Sequence, residues 1–203
     1  MKRNSFLFII IVLLSCCSCS KKKDVTIKND KTITILVQPF KDMNSETTRF
    51  VSNEIKKIYP NIKILDAIDL PKESYYKERN RYRADSIIKY LSKNTTEGFV
   101  TIGLTTKDIS TTKGTIKDFG VMGLGFQPGK SCVASSFRLS KNNKNEQFFK
   151  VAIHEIGHTQ GLKHCPEKSC FMRDAEGKNH TNEETDFCNN CKSFLKTKNW
   201  KFK

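Results

Sequence analysis

Three of the chain's four histidines lie within eleven residues, in the order His154-Glu155-Ile156-Gly157-His158-Thr159-Gln160-Gly161-Leu162-Lys163-His164. No other segment constrains the fold as tightly. From Asn145 onward Phe148, Phe149, Ala152, Ile153 and Ile156 recur at helical spacing, which predicts a helix with a wide apolar face that has to pack on a larger layer. Histidines four apart stand one above the other on one face of such a helix, so two imidazoles can reach one zinc ion while Glu155 projects beside them. Gly161 lets the chain leave the helix through a positive φ, and the turn brings His164 back as a third ligand. Three protein ligands leave one coordination position for water, as in a catalytic rather than a structural zinc site. A lone histidine would carry no such reading; the H-E-x-x-H-x-x-G-x-x-H order does.

That apolar face needs a partner layer, and the sequence upstream alternates strand and helix signals. Thr32 to Pro39 is a β-rich run with Ile33, Ile35 and Val37. Asn44 to Tyr59 opens on Asn44 or Ser45 as N-cap, places Phe50, Val51, Ile55 and Ile58 near helical spacing, and stops at Tyr59-Pro60. A second strand is predicted over Ile62 to Leu70, a second helix over Arg81 to Lys93 and a third strand over Phe99 to Leu104. Gly120 to Phe126 and Cys132 to Leu139 read as two further strands joined by the turn signal Gln127-Pro128-Gly129. Strands interleaved with helices imply an α/β fold with a mostly parallel sheet and one antiparallel edge pair. The 203 residues are enough for one domain or at most two, and a 37% hydrophobic content with only 10 Gly and 5 Pro excludes a collagenous chain and argues against wholesale disorder.

The N-terminus has a different character. Lys2 and Arg3 precede the apolar run Phe6 to Leu14, which is too short to span a bilayer and fits the core of an export signal. It ends in Leu13-Leu14-Ser15-Cys16, which resembles the lipobox of bacterial lipoproteins, where cleavage makes the cysteine residue one and its thiol carries lipid. The expectation is a signal peptide over residues 1–15, a lipidated polar tether over 16–31, and a lipoprotein exported to the cell envelope and anchored to a membrane through Cys16. An ordinary cleaved signal or an uncleaved anchor is the plainer alternative. The formal charge of +15 comes from 36 Lys and Arg against 21 Asp and Glu. Cleavage would remove only Lys2 and Arg3 from that balance, so the basic character belongs to the part that folds. No nucleic-acid recognition motif accompanies it and export argues against such a partner, so the lysines read as dispersed, solvated charge.

Beyond His164 the chain continues with Cys165, then Cys170-Phe171-Met172, then Cys188-Asn189-Asn190-Cys191. With the histidine motif, this string is similar to the archaemetzincin family within the metzincin zinc metallopeptidases. Arg83-Ala84-Asp85, Thr106-Lys107-Asp108-Ile109, Phe119-Gly120 and Ser136-Phe137-Arg138-Leu139 also resemble that family, so the likeness covers roughly Thr32 to Thr197 and leaves the leader outside. It implies a catalytic zinc on His154, His158 and His164, with Glu155 as general base for a zinc-activated water that hydrolyses peptide bonds. It further implies Met172 beneath the site in a Met-turn and a structural zinc on Cys165, Cys170, Cys188 and Cys191. The spacing of the four thiols suits a closed tetrahedral site; two disulfides are the alternative in an oxidising compartment. The implied architecture over residues 32–203 is a mixed twisted sheet with an antiparallel edge strand, an active-site helix ending near residue 161, and a small zinc-stabilised C-terminal part from 162 to 203. The edge strand above the cleft is expected at Gly120, Val121, Met122, Gly123 and Leu124, where a peptide or protein substrate could pair as an added strand. A short helix is expected over Glu183 to Lys196, carrying Cys188 and Cys191. Cys132 reads as a buried small hydrophobe, His180 as an exposed loop residue, and the protein as a monomer. A peptide-binding lipoprotein held together by zinc but without turnover is the second functional reading, and Glu155 counts against it.

Overall fold

β1 (Thr34–Pro39) is an internal strand, paired on both sides, with Ile35 and Val37 fully buried. The computed structural model describes residues 32–202; the leader, Cys16 and the tether read from the sequence lie outside them. α1 (Ser45–Ile58) starts because the Asn44 side chain accepts a hydrogen bond from Thr47 N at 2.7 Å, satisfying one of the free amides of the first turn. The chain returns into β2 (Ile62–Ile64), parallel to β1. This strand is shorter than the expected run to Leu70. Past Ile64 the Gln38 side chain intervenes, its Nε2 donating to Asp66 O at 2.7 Å, and only the isolated bridge Phe40 to Ile68 continues the pairing.

The next segment departs from the sequence reading. Tyr75–Tyr76 (β3) and Arg81–Arg83 (β4) are short strands, so α2 begins only at Ala84 and runs to Lys93. After β5 (Phe99–Thr105), the chain forms a hairpin of β6 (Ile109–Lys113) and β7 (Ile116–Val121), turning at Gly114 with φ +58°. These elements make a second sheet in the order β3-β4-β6-β7 that the sequence did not announce. The expected strand over Gly120 to Phe126 is therefore two. Gly120 and Val121 pair with Ser110 and Ile109 in the second sheet, while β8 (Gly123–Gly125) pairs antiparallel with β9 (Ser131–Ser135) in the first. β9 stops at Ser135 rather than Leu139 because Ser136 turns, its amide donating to Thr105 O and its carbonyl accepting from Leu139 N.

The first sheet has the order β2-β1-β5-β9-β8, parallel except for β8 at its edge. Side chains alternate across it as a pleated strand requires. Cys132 and Ala134 of β9 face one side together with Val51 and Ile55 of α1; Val133 faces the other with Ile87, Ile88 and Leu91 of α2. α3 (Lys144–Thr159) packs on the α1 side and buries Phe148, Ala152, Ile153 and Ile156, as its apolar pattern required. α4 is confined to Asn189–Lys196. The preceding residues are held extended instead, with Thr185 N donating to Ser169 O and Phe171 N to Asp186 O, so Cys188 sits just before the helix.

Candidate active site and metal centres

α3 runs beneath β8, and its His154, Glu155 and His158 line a cleft of about 1070 Å³ together with Gly123 and His164. Gly161, at φ +102°, ends the helix and turns the chain so that His164 comes back over it. The three imidazole centroids are 4.6, 4.9 and 5.4 Å apart. Each ring has its Nδ1 engaged: His154 with Phe171 O at 2.7 Å, His158 with Leu162 O at 2.8 Å and His164 with Asp174 at 3.1 Å. A neutral imidazole held by Nδ1–H presents a bare Nε2 lone pair, the form a metal takes. Burial favours that neutral form, pushing His154 down to about 3 and His158 in the same direction. One ligand atom from each ring lies within 4.8 Å of the others, so the donor set fits a single ion such as zinc.

Glu155 is 7% exposed, and burial pushes its carboxyl up to about 8. It is pressed against β8, which can approach only because two of its three residues are glycines. A Cβ on Gly123 would stand 2.5 Å from Glu155 Oε1, and one on Gly125 would stand 2.9 Å from Glu155 O. Met172 is fully buried and packs against Gly157, where a Cβ would meet its Sδ at 2.4 Å. Glycine inside a helix costs about 1 kcal/mol relative to alanine, and here its lack of a side chain is what seats the methionine under the histidine-bearing turn. The loop between β8 and β9 is tied to the end of α3 by Gln127 Nε2 donating to Leu162 O at 2.6 Å and Gly129 N to Thr159 O at 3.0 Å.

Cys165, Cys170, Cys188 and Cys191 form a second cluster. The Sγ atoms of Cys165 and Cys188 are 3.6 Å apart and those of Cys170 and Cys191 3.7 Å apart. A tetrahedral zinc with Zn–S bonds of about 2.3 Å sets its sulfurs about 3.8 Å apart, whereas a disulfide needs about 2.05 Å. Burial pushes the Cys170 thiol up to about 11 and raises Cys191 as well, so a cation is what would hold all four as thiolates. Cys132 is fully buried in β9, as a small hydrophobe would be, and burial drives its thiol well above the usual range. His180 is not the exposed loop residue expected: its side chain is 17% exposed and its Nδ1 lies 3.5 Å from Glu183.

The model of peptidase family M54 matches residues 23–197. The chain belongs to this family. It is 34% identical over 167 residues to the archaemetzincin of Archaeoglobus fulgidus, covering 80% of this chain and 98% of that relative. To the archaemetzincin of Methanocaldococcus jannaschii it is 33% identical over 147 residues, 68% of this chain and 78% of that one. The crystal structure of the A. fulgidus protein, complexed with malonate, matches with a TM-score of 0.69 at 32% identity, covering 80% of this chain and 99% of that chain. That of Methanopyrus kandleri archaemetzincin matches with a TM-score of 0.71 at 24% identity over 84% and 97%, a likeness of fold. This M54 chain is thus a zinc metallopeptidase with the archaemetzincin fold. Its sequence motifs left two features of the site unread, the glycine contacts of β8 with Glu155 and the charged corner of the cleft formed by Lys150 and Glu184. The glycine pair in 123–125 was the only signal of the first; nothing local signals the second.

Proposed function

We propose that His154, His158 and His164 hold the catalytic zinc through Nε2, that Glu155 is the general base, and that Cys165, Cys170, Cys188 and Cys191 hold a second, structural zinc. The observation that carries this reading is the engagement of all three Nδ1 atoms by Phe171 O, Leu162 O and Asp174, which leaves the Nε2 atoms free beside Glu155. When bound, zinc supplies a Lewis acid for the scissile carbonyl and makes a nucleophilic water available at neutral pH. Glu155 takes the proton of the attacking water and returns it to the departing amine. Its burial keeps bulk water from competing for that proton, and a neighbouring cation draws its raised affinity back toward the working range of a base. Met172 keeps the histidine-bearing turns in register by filling the space under Gly157.

The substrate is a peptide or protein segment in extended form. β8 is the edge of the first sheet and borders the cleft, so its outer backbone groups are the ones a substrate strand would pair with. Within the 120–124 stretch this role falls to Gly123 and Leu124; Gly120 and Val121 are occupied in the second sheet, with Met122 linking the two. The protein acts as a monomer exported to the cell envelope and held to a membrane by lipid on Cys16, a reading supported by the Leu13-Leu14-Ser15-Cys16 sequence and checked by fatty-acid labelling that Cys16→Ala abolishes. The ligand assignment is tested by metal analysis. The parent is expected to hold two zinc ions and His158→Ala one; a parent with one zinc and its four C-terminal cysteines in disulfides would reject the second site.

A further inference from the structure

The cleft continues past His154 into a corner whose ionisable side chains the hydrolytic machinery does not use. Lys150 lies on α3 one turn before His154, Glu184 comes from the loop that precedes α4, and both line the cleft. Glu184 is 5% exposed. Among the described residues its carboxylate accepts no hydrogen bond and closes no ion pair, and the charges that act on it are those of Lys150, Arg173 and Glu183. Each of the two cations is answered elsewhere. Lys150 Nζ donates to Thr181 O at 3.0 Å and faces Glu146 at 3.7 Å, while Arg173 Nη1 pairs with Glu183 at 2.7 Å. With Glu146 and Glu183 facing these two cations, Glu184 has no cation of its own. Its oxygens keep a little solvent contact where the residue lines the cleft, and a ligand donor that reaches them there replaces water with a charge-assisted hydrogen bond.

We propose that Glu184 is the specificity-determining residue of a subsite at this end of the cleft, and that the subsite takes a lysine or arginine side chain of the substrate. A cationic group both donates to the carboxylate and favours its ionised form, whereas a neutral amide only donates. The corner is four helical residues from His154, about 6 Å along the axis, which is the span of about two residues of extended peptide. The side chain it reads therefore belongs to a residue next to the cut bond or one further on. Burial pushes the Glu184 carboxyl up to about 7, so a bound cation would also draw it into the ionised form at neutral pH.

The inference rests on the peptidase reading only in taking the ligand to be a peptide, so its test reads binding rather than turnover. Zinc-loaded Glu155→Gln protein is titrated with labelled peptides identical except at one position, which carries Lys, Arg, Gln or Glu and is moved along the peptide. At one position Lys and Arg are expected to bind at least about tenfold tighter than Gln, with Glu weakest. Glu184→Gln in the same background should bring the Lys-to-Gln ratio to within about twofold, and the shorter Glu184→Asp should keep part of it. Failure of every lysine and arginine peptide to bind better than its Gln counterpart, or a preference that survives Glu184→Gln, overturns the proposal. Absence of hydrolysis by the parent contradicts the peptidase reading instead and leaves the binding preference readable.

Discussion

Gly123 is the residue whose smallness does most for the site. The Glu155 carboxylate occupies the space where any other side chain at 123 would begin, with Oε1 2.5 Å from that Cβ position. Gly123→Ala must therefore displace the carboxylate while touching neither metal set. The expected result is unchanged zinc content with a kcat lower by about ten- to a hundredfold, since a misplacement of about 1 Å at a reacting group has that cost. Parent-like turnover in this variant would show that Glu155 need not stand where it does. Glu184 gives a prediction on stability. Its carboxyl is raised from 4.5 to about 7 by burial, so the native state binds its proton more tightly than the unfolded chain. Its contribution is fully present below pH 4.5 and is lost as pH rises through about 7. Glu184→Gln, which cannot ionise, should therefore gain on the parent by about 2 kcal/mol between pH 4.5 and 8. Denaturant midpoints at the two pH values check this, and a constant difference would contradict it.

Among the elements, α3 was legible because its apolar residues and its histidines each follow the period of the helix. Asn44 marked the start of α1 by the same local logic. The second sheet was not legible, because β3 and β4 are two and three residues long and the pairing that joins them to the β6–β7 hairpin is long-range, Tyr82 lying opposite Ile109 across the whole of α2 and β5. What the sequence showed there was short motifs, and the structure gives them a common purpose. Asp108 pairs with Arg81 at 3.1 Å and Arg138 at 2.9 Å, and Arg138 passes so close to Gly120 that a Cβ there would meet it at 2.1 Å. Such a network depends on three-dimensional neighbours and leaves no periodic trace. At the other end, the cysteine cluster ties the segment after His164 to α4, and Trp200 follows, buried against Tyr59 with ring centroids 4.5 Å apart. Removing the three-histidine ion by chelation should leave Trp200 emission unchanged. Loss of the four-cysteine ion should shift it to the red as the C-terminal segment detaches. A red shift that coincides with loss of the first ion would contradict this division.

At the scale of the molecule, one fold presents a cleft between the edge of a mostly parallel sheet and a helix that carries two of the three histidines. The chemistry of the cleft turns on one carboxyl group beside three imidazoles whose Nδ1 atoms are already engaged. The direct test is to incubate the zinc-loaded soluble part, residues 32–203, with a diverse peptide pool and to map the cuts by mass, alongside Glu155→Gln carrying the same zinc. The parent is expected to make zinc-dependent cuts and the variant to lose at least about a hundredfold, the usual contribution of a general base. Cleavage by Glu155→Gln at the parent's rate, with both ions in place, would contradict it.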